Sequence, residues 1–268
     1  MGTSVYDYPE WRGVFYPANL KRKDFLLYYS TVFNAVELNF SFYGMPDAKG
    51  LLSFYQRSEG RLKFSVKANR LLTHEVGINW KDAAADFRAA IEPLFKKDAL
   101  CAVLFQFPQS FHYTDQNRIY LASLLAQFKG LPLVVEFRRG EWARKSVFAG
   151  LEERGASLAL CDFPRLKSLP WKGLKAAASA FAGTSVYIRL HGRNQNAWYA
   201  KEDGQNPGDK NGSGRYRYDY NDDELASFVP IVQAAQNSGK VPMIFFNNHP
   251  DGSGAKNAKR LAEMLQKA

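Results

Sequence analysis

Seven short apolar runs recur along this chain, and each closes on a polar or charged side chain. They are Ala35–Asn39, Phe64–Lys67, Val103–Gln106, Val134–Arg138, Leu158–Asp162, Tyr187–His191 and Ile244–Asn248. Runs this short, with flanking turn residues, read as strands buried on both faces. Side chains two apart on a strand share a face, so Glu37 with Asn39, Glu136 with Arg138, and Arg189 with His191 each project as a pair. Where such strands lie parallel, their polar tips converge on one rim, and that rim is where a site is expected.

Between the runs lie stretches with helical character: residues 20–30, 47–57, 80–95, 115–128, 141–154, 222–238 and 254–266. In one of them Ile119, Leu121, Leu124, Leu125 and Phe128 keep helical spacing behind a Thr114 or Asp115 cap, and Gly155 and Gly239 supply stops for two others. Alternating strands and helices imply a parallel sheet covered by helices. Counting Gly2–Ser4 as a short strand gives about eight units, the number that closes a barrel, and the 268 residues suit one such domain. The expected fold is α/β, a single (β/α)8 TIM-type barrel over residues 1–268 with a short or irregular first strand. An open doubly wound sheet is the rival, but no run is followed by a Gly-rich dinucleotide fingerprint. The stretch 192–220, rich in Gly, Asn and Asp between 204 and 214, is expected to be a long loop after the seventh strand that serves as a lid.

The formal charge of +10 favours anionic partners. The basic residues are dispersed (Lys21–Lys23, Lys96–Lys97, Arg144–Lys145, Lys256, Lys259, Arg260), which suits solvated helix faces better than a nucleic-acid footprint. Cys101 and Cys161 lie in or beside apolar runs and do not form a disulfide framework. Residues Met1–Asp7 lack a basic-then-apolar leader, and no stretch approaches the roughly 18 apolar residues of a membrane span. A cytoplasmic protein without membrane association is expected; the oligomeric state is not legible.

At the rim, Lys67, Arg138 and Arg189 are expected to hold an anion, since guanidinium forks match carboxylate and phosphate. Glu37, Glu136 and Asp162, with His191 sharing the work, are the expected acids and bases, because grouped carboxylates in a dry cleft are driven to unlike protonation. Gln106, Asn39, Asn247 and the loop residue His74 add substrate contacts. The expected activity is general acid–base chemistry, of hydrolase or isomerase type, on a small phosphorylated, carboxylated or sugar-like molecule, with no cofactor. One alternative is a divalent metal on Glu37, Glu136, Asp162 and His191, giving a metal-dependent phosphodiesterase or endonuclease acting on nucleic acid. Another is a non-catalytic ligand-binding module, and the plainest is an ion-pair network that plugs the barrel top. Trp11, Tyr16, Phe42, Tyr43, Trp142 and Trp198 fall on predicted upper loops, where they roof the core or stack on a ligand.

Several segments, in order along nearly the whole chain, resemble the YecE-like family, domain of unknown function 72. They are Tyr8–Pro17, Phe33–Tyr43, Phe64–Ala68 with Thr73–His74, Val135–Arg138, Ile188–Arg193 and Phe246–His249. The resemblance implies a TIM-type barrel without an agreed reaction. The family pattern places Gly-Trp after the Gly-Thr-Ser element, whereas Val5-Tyr6 stands here.

Overall fold

The apolar runs become eight parallel strands: β1 (Gly2–Thr3), β2 (Ala35–Leu38), β3 (Lys63–Lys67), β4 (Leu100–Gln106), β5 (Leu133–Glu136), β6 (Ala156–Asp162), β7 (Ser185–Leu190) and β8 (Val241–Phe246). The computed structural model describes residues 1–167, 169, 185–198 and 213–268. The strands form one sheet in the order β1-β8-β7-β6-β5-β4-β3-β2. It curls into a nearly closed barrel, because Ser4 bridges Glu37 and the Val5 N–H donates to the Glu37 carbonyl at 2.8 Å. The short first strand was expected; the thin seam lies on its β2 side, while Gly2 and Thr3 pair in register with Phe245 and Phe246 of β8. Val5 sits at φ 68°, a left-handed conformation that a β-branched residue adopts at a cost.

The described helices are α1 (Phe25–Val32), α2 (Phe40–Tyr43), α3 (Ala48–Arg57), α4 (Trp80–Lys96), α5 (Asp115–Gln127), α6 (Lys145–Glu152), α7 (Asp222–Ala226), α8 (Val229–Asn237) and α9 (Ser253–Lys267). Asp47 caps α3 by accepting from the Gly50 N–H at 2.8 Å, and Thr114 caps α5 by accepting from Asn117. The stretch 222–238 is two helices, not one: Pro230 has no N–H to continue the ladder and sits in the first turn of α8. Residues 20–30 begin with a 3-10 turn at Arg22–Asp24, so α1 starts late. Of the expected lid, 192–198 and 213–220 are described and carry a 3-10 turn at Ser213–Tyr216; most of its 204–214 centre lies outside the described residues.

Two apolar layers follow from the strand period of two. Val36, Leu38, Val66, Val103, Phe105, Val135, Leu158, Leu160, Ile188 and Phe246 face the helices in the larger core. Ala35, Ala102, Leu104, Val134, Ala159, Cys161, Tyr187 and Phe245 fill the barrel interior. Carried one step further, the inward set reaches Glu37, Gln106, Glu136 and Arg189 at the C-terminal ends of β2, β4, β5 and β7.

Candidate active site

The barrel mouth is built in two tiers. The lower tier is centred on the guanidinium of Arg189, which spans two carboxylates. Its Nε and Nη2 grip Glu37 as a fork, at 2.9 Å to Oε2 and 2.6 Å to Oε1, while Nη1 donates to Glu136 Oε2 at 2.5 Å. Tyr187 adds a 2.8 Å hydrogen bond to Glu37 Oε2 and is itself within 2.6 Å of Ser65 Oγ. Glu37 and Glu136 are 0% exposed and Arg189 2%. Burial works against the Arg189 charge, but the two carboxylates outweigh it and push its pKa further up. Burial would likewise raise Glu136, yet the charges of Arg138 and Arg189 win and lower it to about 2.

This arrangement corrects two expectations. The unlike protonation expected of grouped carboxylates does not suit Glu136, which the charges of Arg138 and Arg189 keep ionised at neutral pH. Arg189 was expected to hold substrate; its fork is already filled by protein carboxylates.

Above this floor stand the half-buried groups. Arg138 leaves β5 two residues beyond Glu136, with its Nε 2.5 Å from Glu136 Oε1 in an ion pair too bent to be a hydrogen bond. Its guanidinium lies over the rings of Phe163 and Trp198, at 4.8 and 5.8 Å. Lys67 ends β3 with its Nζ 4.1 Å above the Phe42 ring, and no hydrogen bond or ion pair engages that ammonium among the described residues. Burial, joined by the Arg189 charge and only partly opposed by Glu136 and Glu37, lowers Lys67 to about 7. Asn39, directly beyond β2, has a buried Oδ1 with no partner, and Gln106 beside Glu136 donates to the Phe107 carbonyl at 3.2 Å.

His191 is wholly buried and stacks on Phe163 at 5.0 Å. Arg138 Nη2 lies 3.4 Å from its Nε2, and the Asn247 amide lies 3.0 Å from its Nδ1. A guanidinium can only donate, so where Arg138 bonds the ring Nε2 is the acceptor, and Asn247 Nδ2 faces the other ring nitrogen. Burial and the charges of Arg138, Arg189 and Lys67 hold the ring well below its ordinary pKa, so it stays neutral and acts as a fixed hydrogen-bonding wall. The expected proton-exchanging role does not suit that environment.

Glu136, Cys161 and His191 place one donor atom each within 4.8 Å of one another, a set with the chemistry of a zinc ligand group. It differs from the expected set of Glu37, Glu136, Asp162 and His191. The fit fails on Arg138, whose guanidinium contacts Glu136 Oε1 and His191 Nε2 together and so supplies the positive charge at the place a metal would need.

Asp162 is elsewhere. It shares the parity of Leu158 and Leu160, so it points to the helical layer rather than into the barrel. There Arg193 clamps it through Nε at 2.8 Å and Nη2 at 3.1 Å, Tyr220 donates to it at 2.8 Å, and the other arm of Arg193 reaches Glu224 at 2.9 Å. Its expected role as an acid or base of the site is corrected to a tie between β6 and the segment leading into α7. His74 lies on the rim loop, bonded to Thr73 Oγ1 at 2.9 Å and edge-on to Phe42 at 4.8 Å.

Comparison with known proteins now settles the family. The family model described as "Protein of unknown function DUF72" matches residues 1–268. The chain belongs to the DUF72 family. The YecE-like resemblance names the same family. The UPF0759 protein YunF of Bacillus subtilis is 27% identical over 259 residues, covering 93% of this chain and 89% of that protein. The crystal structure of a DUF72 family protein from Thermotoga maritima superimposes with a TM-score of 0.84 at 31% identity, covering 99% of this chain and 98% of the other. A DUF72 family protein from Enterococcus faecalis gives 0.81 at 23% identity, covering 99% and 94%.

Several groups at the mouth of this DUF72 barrel escape a reading by polar tips alone. Tyr187 and Cys161 are inward residues of β7 and β6, and Phe163 extends the same parity past the end of β6. Counting in twos from Arg189 and Ala159 would have found them. His249, stacked on Tyr8 at 4.7 Å, and Tyr216, near His191 at 6.0 Å, come from loops, where no period applies. Of the six aromatic residues singled out, Phe42 and Trp198 attend the mouth. Trp11, Tyr16 and Trp142 are core, and Tyr43 is exposed.

Proposed function

We propose that this DUF72 protein is an enzyme that binds a small anionic, oxygen-rich molecule at the C-terminal barrel face and exchanges protons through Lys67. One observation carries the reading. Lys67 Nζ and Arg138 Nη1 stand at the mouth with no hydrogen-bond partner among the described residues, above a floor whose own charges are already matched. Two carboxylates there meet two guanidiniums, so protonated Lys67 is the excess charge, and a monoanion would complete the balance. The unpartnered Asn39 Oδ1 suits a substrate hydroxyl. A pure binding module has no use for an amine lowered to about 7, whereas proton transfer at neutral pH does. The carboxylates then act by fixing Arg189 and Arg138.

The test is binding of a panel of small phosphates, carboxylates and sugar acids, read by calorimetry. Arg138→Ala should weaken the best binder at least tenfold, and raising the pH from 6 to 9 should weaken it as Lys67 loses its charge. Affinity indifferent to both changes would remove this reading.

A further inference from the structure

We infer that Lys67 is a carbonyl-condensing amine, whose Nζ adds to the aldehyde or ketone carbon of a small anionic substrate and holds it as an imine. This deepens the reading above, on which it rests for the location of the ligand.

Three observations support it. The first is placement. Lys67 ends an inward-facing strand whose backbone is pinned: its carbonyl accepts from Ser41 Oγ at 2.6 Å, and the Ser41 carbonyl accepts from Asn69 Nδ2 at 2.8 Å. The amine therefore leaves a rigid point at the mouth. The second is isolation. Glu37 and Glu136 lie close enough to act on Lys67 electrostatically, yet each is gripped by Arg189 or Arg138, which leaves Nζ without an ion pair. A lysine serving only to neutralise a carboxylate would be paired. The third is the partner it does have, the Phe42 face at 4.1 Å, which stabilises a cation on nitrogen without tying up its lone pair.

An imine-forming lysine must be partly unprotonated to attack. At an ordinary pKa of 10.5 only roughly one amine in three thousand is free at neutral pH, whereas a group lowered to about 7 is near half free. In the first step the Nζ lone pair forms the C–N bond while the carbonyl π pair moves to oxygen. One proton passes from nitrogen to that oxygen, giving a carbinolamine. A second proton, taken up from solvent at the open mouth, lets the hydroxyl depart as water, and the nitrogen lone pair closes the C=N bond as a protonated imine. One water is released, and no oxidant or reductant is required. The positive imine nitrogen then replaces the ammonium above Phe42, and the carbon beside it becomes acidic. Arg138 Nη1 would take the anionic end of the substrate and Asn39 Oδ1 a hydroxyl. The ligand class is therefore a small keto acid or phosphorylated hydroxycarbonyl.

The experiment is borohydride trapping at pH 7.5 with pyruvate, dihydroxyacetone phosphate and glyceraldehyde 3-phosphate as separate probes, read by peptide mass spectrometry. At least one probe should add one reduced adduct per chain, placed on Lys67 at least tenfold faster than on any other lysine, and the adduct should vanish in Lys67→Arg. Adducts scattered over surface lysines, or none on Lys67, would overturn the inference. Circular dichroism of Lys67→Arg separates lost chemistry from lost folding. Calorimetry of the same probes keeps the two ideas apart. Binding that Arg138→Ala abolishes but Lys67→Arg leaves within threefold, together with no trapped adduct, would sink the imine and spare the anion site. No binding and no adduct would sink both.

Discussion

Arg189 is the residue on which the floor of the mouth turns. Its charge is tolerated in the barrel interior because two carboxylates accept three hydrogen bonds from it, and removing one partner of such a pair leaves the rest uncompensated. Glu37→Gln should therefore cost about 3–5 kcal/mol of stability, read from urea unfolding. A variant as stable as the parent would mean the floor is dispensable to the fold. The residues of this floor were legible from sequence, since Glu37, Glu136 and Arg189 each end an apolar run in the inward register. Their roles were not, because the spacing of polar tips does not say which cation meets which anion. Only the packed geometry shows Arg189 consumed by protein and Lys67 left over.

At the scale of elements, strand parity separates Asp162 from the other acids. The residue was read as a tip of β6 like its neighbours, yet Cys161 is the inward one, and Asp162 pairs with Arg193 and Tyr220 on the helix side. That clamp ties the end of β6 to the chain entering α7. Asp162→Asn should lower stability by about 1–3 kcal/mol through weakened charge-assisted hydrogen bonds. It should leave anion affinity and borohydride trapping at Lys67 within twofold of the parent. Loss of either in a folded variant would return Asp162 to the site. Helix positions were readable from periodicity and caps, as Asp47 and Thr114 illustrate. The division of 222–238 is marked by Pro230, although the apolar pattern continues through it.

For the whole molecule, the buried titratable groups fix how stability follows pH. His191 and His249 are held below the ordinary 6.5, His249 at about 4 through burial and the Arg217 charge, so the unfolded chain takes up protons below 6.5 that the folded one refuses. Stability should fall as the pH drops from 6.5 toward 4. It should fall further between 4.5 and 2 as Glu136 loses the ionised form that the fold prefers. Lys67 acts with the same sign at the alkaline end of the scale: between about 7 and 10.5 the unfolded chain holds a proton the folded one has released, so its contribution rises with pH across that window. Urea midpoints measured from pH 4 to 9 check this; a flat profile between 7 and 4 would contradict it. The barrel itself was readable from the count of strand–helix units, while its seam was not, because two residues of β1 carry too little pattern to show which neighbour they favour. That seam has a consequence for how the protein comes into being. Glu37 stands at the join, bridged to Ser4 through its backbone and to Arg189 through its carboxylate, while Gly2 and Thr3 pair with Phe245 and Phe246 near the other end of the chain. A ribosome makes β8 after the other seven strands, so the nascent polypeptide carries its first strand unpaired on that side until β8 has emerged, and the ring becomes whole only then.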